Sequence, residues 1–349
     1  MAVRVRPLDP ASEGAWDAFV RARPEAGFFH LSAWARVIEG AFRHKTHFAL
    51  AEQDGAIVGV LPLARMKTAL FGDLLASTPF CVYGGPVAAT PEAAEALEAH
   101  AIELHRSTGA ACLEFRHLRL PVPDPAERGW GMRPPLYWTF RKPITGDTEA
   151  DMKAIPRKQR AMVRKGISNG LTSVSNGDID ALHRVYAESV RNLGSPVFPR
   201  RYFKALAAAF PEEHDVTTVL HEGRPVASVL NFHFREEVLP YYGGGTGEAR
   251  SLAANDFMYW EVIRRAGAER GARLFDFGRS KSETGAFSFK KNWGFEPTPL
   301  HYAYRLRPGA TLPENNPKNP RYAAMIKVWK RLPLPVANLL GPPLTRGLG

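Results

Sequence analysis

The sequence predicts an α/β protein built from one unit used twice. Two observations carry this. A hairpin, a helix and a short buried strand follow one another in both halves. The offset is also nearly constant: STGAACLEFR at 107–116 and ERGARLFDFG at 269–278 lie 162 positions apart, and the Asp54-Gly55 and Glu222-Gly223 turns lie 168 apart. Shared order at a steady offset argues for internal duplication. Each copy is expected to hold a mixed central sheet flanked by helices. The expected domains are 1–145 and 146–317, joined near 142–150, with a tail at 318–349.

The elements follow in chain order. VRVRPL alternates and reads as a strand, and Asp9-Pro10-Ala11-Ser12 leads into a short helix, GAWDAFVRA. A second helix is expected over 32–42, with Ser32 as N-cap. Residues 46–53 and 56–65 form a hairpin around Asp54-Gly55. A Gly- and Pro-rich stretch, 79–87, ends a further strand. Residues 92–107 have helical periodicity, Thr108-Gly109 stops that helix, and 111–116 is a short buried strand. A Pro-rich loop follows over 121–135 and a strand over 136–141.

Helical segments are then expected over the basic stretch PRKQRAMVRKGI at 156–167, over 178–190 and over 199–210. The second copy follows. Strands 216–221 and 225–234 flank Glu222-Gly223, strand 237–243 runs into Gly243-Gly244-Gly245, helix 253–270 stops at Gly271, and 273–277 is a strand. Residues 320–331 read as a basic helix, and PLPVANLLGPPL as irregular apolar chain.

Composition narrows the function. Of 349 residues, 45% are hydrophobic and 23% charged, ordinary for a folded domain protein. Two cysteines, Cys81 and Cys112, cannot make a disulfide scaffold or a cysteine-only metal site, and they read as buried small hydrophobes. The N-terminus lacks the apolar core of a secretory signal and no apolar run is long enough to span a bilayer, so a cytoplasmic protein is expected. The histidines form no metal-binding spacing. Net charge of +11 favours an anionic partner: phosphate, nucleotide, nucleic acid or acidic membrane.

The richest stretch is DFGRSKSETGAFSFKKNWGFE at 276–296. Asp276 ends a strand, where α/β proteins place ligands. Gly278 lets the backbone approach a ligand, and Arg279, Ser280 and Lys281 present donors together. Lys290 and Lys291 follow on a short helix that packs through Phe287 and Phe289. The bland alternative is a solvated basic loop beside a core aromatic cluster. Tyr241-Tyr242 precede three glycines whose amides face a ligand, or which mark a strand splay; Tyr242 is a catalytic candidate. Asn255 and Tyr259, four apart, share one helix face, unless Asn255 only caps it. Arg157, Arg160 and Arg164 line one helical face suited to a polyphosphate, or simply solvated. In the first half, Arg36 is a candidate phosphate ligand, and Tyr83-Gly84-Gly85 echoes the later Tyr-Gly run. Neither a P-loop nor a dinucleotide fingerprint is present.

These residues resemble a family. The duplicated unit is similar to the N-acetyltransferase (GNAT) fold used twice. YYGGG, the helix from 253, FDFGRS and FKKNWGF resemble the second domain of the FemAB/FemX aminoacyltransferases. With PRKQRAMVRKGI and ESVRNLGSPVFPRRYF they resemble the FemAB-related proteins that accompany exosortase/PEP-CTERM systems. The resemblance implies two tandem GNAT-like domains. It also implies transfer of an amino acid from aminoacyl-tRNA to an amine of an envelope precursor whose phosphates are held by basic side chains. It matches Phe289-Lys290 to a pair whose lysine stabilises the acyl oxygen, and gives Arg36 a phosphate role. No long helical arm and no acetyltransferase nucleotide loop appears, so the donor stays open between aminoacyl-tRNA and acyl-CoA.

The expected function is acyl transfer to an amine of a phosphorylated or lipid-linked envelope or exopolysaccharide precursor, with no permanently bound cofactor, no metal and no DNA partner. Lys290 would stabilise the oxyanion and Asp276 accept a proton or orient Lys290, while Arg279 and the arginine row orient the substrate. The alternatives are an acetyl-CoA-dependent N- or O-acetyltransferase acting on a sugar, a non-catalytic precursor-binding scaffold, and an RNA-binding protein. Residues 320–345 place cations beside apolar side chains, either to rest on an anionic inner membrane or to dock on the second domain.

Overall fold

The computed structural model describes residues 2–68, 71–121, 124–132, 135–312 and 320–348. The chain divides into two compact units: Met1–Leu136 with Leu300–Asn315 and Arg346–Gly349, and Tyr137–Pro299 with Asn316–Thr345.

In the first unit, the antiparallel hairpin Ala49–Gln53 and Ala56–Leu61 lies between Arg4–Pro7 and Val87–Ala88. The expected returning strand 56–65 breaks at Pro62. The chain there leaves the four-stranded sheet and enters a second one as Leu63–Thr68, a change of sheet that suits a residue with no amide hydrogen to give a ladder. That second sheet runs Lys45–Thr46, Leu63–Thr68, Gly72–Ser77, Cys112–His117, His301–Leu306, Gly131–Met132. Leu61, Leu97, Leu113 and Phe115 are core residues, each worth about 1.5–3 kcal/mol of burial. Cys81 and Cys112 are buried and form no disulfide.

In the second unit the order is Thr172–Ser175, His214–His221, Arg224–Phe234, Glu237–Gly245, Leu274–Asp276, Tyr137–Pro143, Ser280–Lys281, with Pro297–Pro299 beside Tyr137–Pro143. Ile179–Leu193 packs on this sheet, as does Ala254–Arg270. The latter buries residues all around its circumference because Arg157–Ser168 lies against it as well. Gly166 is where those two helices close up: a Cβ there would sit 2.8 Å from Phe257 Cβ.

The duplication extends to the backbone detail. Both hairpin turns have two left-handed residues, Asp54 and Gly55 (φ 53° and 80°) and Glu222 and Gly223 (φ 50° and 76°), as type I′ turns require. Each hairpin also slips register once, between Ala51 and Glu52 and between Val219 and Leu220, again 168 positions apart.

One feature departs from a simple tandem. Tyr137–Pro143 follows the first copy in sequence but pairs with Leu274–Asp276, setting Lys142 opposite Phe275. His301–Leu306 follows the second copy but pairs with Cys112–His117, setting Arg305 opposite Leu113. Lys142 and Arg305 lie 163 positions apart, and Leu113 and Phe275 lie 162 apart, so equivalent strands are exchanged in equivalent register. The compact units therefore differ from the expected 1–145 and 146–317: residues 137–145 join the second unit and 300–315 the first.

Other expectations are also corrected. Ser32 does not cap a helix; its N–H and hydroxyl both donate to Asp17, and the helix starts at Trp34. The apolar tail is not irregular: Leu334–Thr345 is a helix despite Pro342 and Pro343, and Gly341 packs tightly on Val197. The Pro-rich stretch holds a 3-10 turn, Pro125–Arg128, and the strand Gly131–Met132, while residues 122, 123, 133 and 134 lie outside the described residues, as does Lys318.

Candidate active site

The parallel strands Glu237–Gly245 and Leu274–Asp276 pair only at Glu237–Leu274 and Val238–Phe275, then part toward their C-terminal ends. A crevice at the carboxyl ends of parallel strands is the usual ligand position in an open α/β sheet. Beyond Asp276 the chain turns through Gly278 (φ 64°) and re-enters the sheet at Ser280–Lys281.

Two charged side chains shape that turn. Asp276 is fully buried; its Oδ1 accepts the Gly278 N–H at 2.7 Å, and its Oδ2 lies 3.1 Å from Arg141 Nε. Lys290, from the helix Gly285–Asn292, donates its ammonium to the carbonyls of Phe277 (2.6 Å), Gly278 (3.0 Å) and Arg279 (3.1 Å). The ammonium also lies 5.4 Å from the Phe140 ring centre. Burial pushes the Lys290 pKa down to about 7, with Asp276 pulling it up and Arg279 pushing it further down. A lysine this close to neutrality can change charge near physiological pH.

Thr284 fixes the start of that helix: its Oγ1 accepts the Phe287 N–H. Phe289 and Trp293 pack on Tyr259 and Phe277 with ring centres 5.7–6.4 Å apart. Burial pushes the Tyr259 hydroxyl up to about 12, so it stays protonated. Arg279 and Lys281 both lie over Tyr137, at 4.5 and 5.4 Å. Ser280 is buried, and its Oγ has no hydrogen-bond partner.

The structure thus gathers Asp276, Arg279, Ser280, Lys281, Phe289, Lys290 and Tyr259 around one turn. Tyr242 points elsewhere. Its hydroxyl meets Tyr202 at 2.9 Å, and its ring packs among Tyr186, Phe198 and Phe203. Strand alternation separates the two sides: Gly244 faces Ser189, like Tyr242, whereas Gly245 faces Ala249 and Asn255. Asn255 does not cap its helix, whose N-cap is Ala253; its buried Oδ1 lies by Gly245 without a hydrogen-bond partner.

The arginine row lies on the outer face of its helix. Arg157 and Arg164 are exposed and Arg160 is half-buried, while Gln159 turns inward and donates to Asp256. Pro156, just before Arg157, packs against Gly294, four residues after Lys290. In the first unit, Arg36 is exposed and ion-paired with Glu13, and Tyr83 is buried edge-on to Phe29.

The sequence marks a strand at 136–141, observed as Tyr137–Pro143, but not its place in this site. That strand supplies Tyr137 beneath two cations, Thr139 and Arg141 to Asp276, and Trp138 directly opposite Ser280. The Trp138 indole Nε1 is buried without a hydrogen-bond partner, like the hydroxyl facing it in register. Alternation in YWTFRK marked a strand, but nothing local tied it to residues more than 130 positions away.

Comparison with known proteins agrees with this architecture. Residues 152–291 match the model of the acetyltransferase (GNAT) domain family. No curated protein matches the chain. Among solved structures, FemX is similar with a TM-score of 0.67 at 16% identity, over 86% of this chain and 96% of that one. The C-terminal DUF2156 domain assigned to a lysylphosphatidylglycerol synthetase from Agrobacterium fabrum gives 0.59 at 14% identity, over 86% and 93%. A tandem GNAT protein from the clavulanic acid biosynthesis pathway gives 0.51 at 17% identity, over 87% and 98%. The chain has the fold of the GNAT- and FemAB-like acyltransferases, with two GNAT-like units in tandem.

Proposed function

We propose that the protein transfers an acyl or aminoacyl group to an amine of a phosphate-bearing envelope precursor. The observation that carries this reading is the Lys290 ammonium, held at the end of the strand Leu274–Asp276 with a pKa of about 7 beside the donors of residues 279–281. The acceptor amine attacks the activated carbonyl, forming a C–N bond. Lys290 exchanges its longest bond, to the Arg279 carbonyl, for the oxygen on which charge develops. The intermediate collapses with cleavage of the C–O or C–S bond to the carrier, and the departing oxygen or sulfur takes up the proton lost by the amine. Asp276, fully buried and already engaged, orients the turn rather than acting as base. Arg279 and the Arg157, Arg160 and Arg164 row hold the substrate's phosphates.

Aminoacyl-tRNA is one donor. The match of 152–291 to an acetyltransferase domain favours a second, acyl-CoA. The similarity to FemX supports an envelope precursor as acceptor, and the resemblance to exosortase-associated proteins makes an exopolysaccharide precursor the version to assay first. This reading places the work in the cytoplasm beside the inner membrane. The test is a mass-shift assay of amine-bearing precursors with purified protein and either donor. Transfer that wild type performs and Lys290→Ala does not is the expected result. No transfer from either donor, or equal transfer by Lys290→Ala, would overturn it.

A further inference from the structure

We infer that the outward faces of the helices Pro320–Trp329 and Leu334–Thr345 dock the protein on the surface of an anionic bilayer. Leu334–Thr345 contains no charged residue. Ala337, Gly341 and Thr345 face inward and are buried, at the spacing of one helical stripe. Val336, Leu339 and Leu340 face out, with 39%, 75% and 46% of their surface exposed. The preceding helix behaves alike. Ile326 turns in against Gly194, while Met325 and Val328 are 55% and 63% exposed. Large apolar side chains clustered at such exposure mark an interaction surface.

Charge selects the occupant. Lys327 lies within the first helix and Lys330 and Arg331 just after it, all three exposed, and the sequence has no Asp or Glu from 316 to 349. A second copy of the chain would bring the same cations against these and repel itself. An anionic lipid surface takes the cations at its headgroups and the leucines below them. The twelve-residue helix is about 18 Å long, well short of a bilayer's roughly 30 Å core, so it lies in the interface. No helix among the described residues is long and apolar enough to cross a membrane.

The experiment is co-sedimentation of the full chain with vesicles of phosphatidylcholine, alone or mixed with phosphatidylglycerol. Binding is expected to the mixed vesicles, to weaken with salt, and to fall about ten-fold or more in Leu339→Glu/Leu340→Glu. Lys330→Gln/Arg331→Gln, at two exposed positions, is a second variant and loses binding at low salt. Wild type left in the supernatant with mixed vesicles, unchanged binding by both variants, or a wild-type dimer that the leucine variant splits would each overturn the inference. The readout involves no acyl transfer. A chain that binds vesicles but transfers nothing sinks only the catalytic reading, and the reverse result sinks only this one.

Discussion

Asp276 and Lys290 hold Gly278 from its two ends: the carboxylate accepts its N–H at 2.7 Å and the ammonium donates to its carbonyl at 3.0 Å. An acid and a base that do not bond each other thus fix one backbone turn, and the lysine's charge state becomes part of that turn's geometry.

Lys290 should therefore govern the pH profile. Its folded pKa of about 7 leaves it charged below that pH and neutral above it. If the ammonium carries the oxyanion, kcat falls as pH rises through about 7, whereas Lys290→Arg, charged throughout, stays flat over that range. Stability moves the other way. Between about 7 and the ordinary lysine pKa of about 10.4 the unfolded chain binds more protons, so wild-type stability rises with pH there. Denaturant titrations at pH 7 and 10 should show that gain in wild type and lack it in Lys290→Met.

Removing the Asp276 charge should unfold rather than merely inactivate. Asp276→Asn leaves Arg141 beside a neutral amide in a buried setting, where breaking a pair costs about 3–5 kcal/mol. A midpoint shift in urea corresponding to less than about 1 kcal/mol would show that Arg141 finds compensation in its other partner, Glu237.

Gly244 separates a packing role from a ligand role for the Tyr-Gly run. A Cβ there would meet Ser189 Oγ at 2.1 Å and Ser189 Cβ at 2.5 Å. Gly244→Ala should cost about 1–3 kcal/mol of stability, measured by thermal unfolding. The double change Gly244→Ala/Ser189→Gly, which removes the obstructing side chain, should recover part of that loss.

Ser280 should behave in the opposite way. Its hydroxyl is buried and unpartnered, so Ser280→Ala should leave the melting temperature unchanged or raise it. If substrate supplies the missing partner, kcat/KM should drop about ten-fold, the equivalent of roughly 1.4 kcal/mol. Unchanged kinetics would confine Ser280 to the sheet.

Much of this was legible in the chain. Asp54-Gly55 and Glu222-Gly223 are local signals for I′ turns and gave the repeat; helix ends at Gly109 and Gly271 were equally local. The cluster at 276–290 could be read because strand end, turn and short helix are contiguous. What stayed hidden depends on distant partners. Asp17 takes the donors that would let Ser32 cap a helix, Tyr202 meets the Tyr242 hydroxyl from forty positions away, and the sheet each closing strand joins is not encoded in its alternation.

The exchange of strands makes the two copies mutually dependent. A cut at residue 145, the natural place by sequence, would leave the leading piece carrying 137–143 without the Leu274–Asp276 edge, and deprive it of 301–306. Each fragment would expose unsatisfied ladder groups and aggregate alone, yet the two expressed together should reassemble. The fused gene thus behaves as a covalently closed, reciprocally swapped dimer, in which neither half can be lost or drift freely without unfolding its twin.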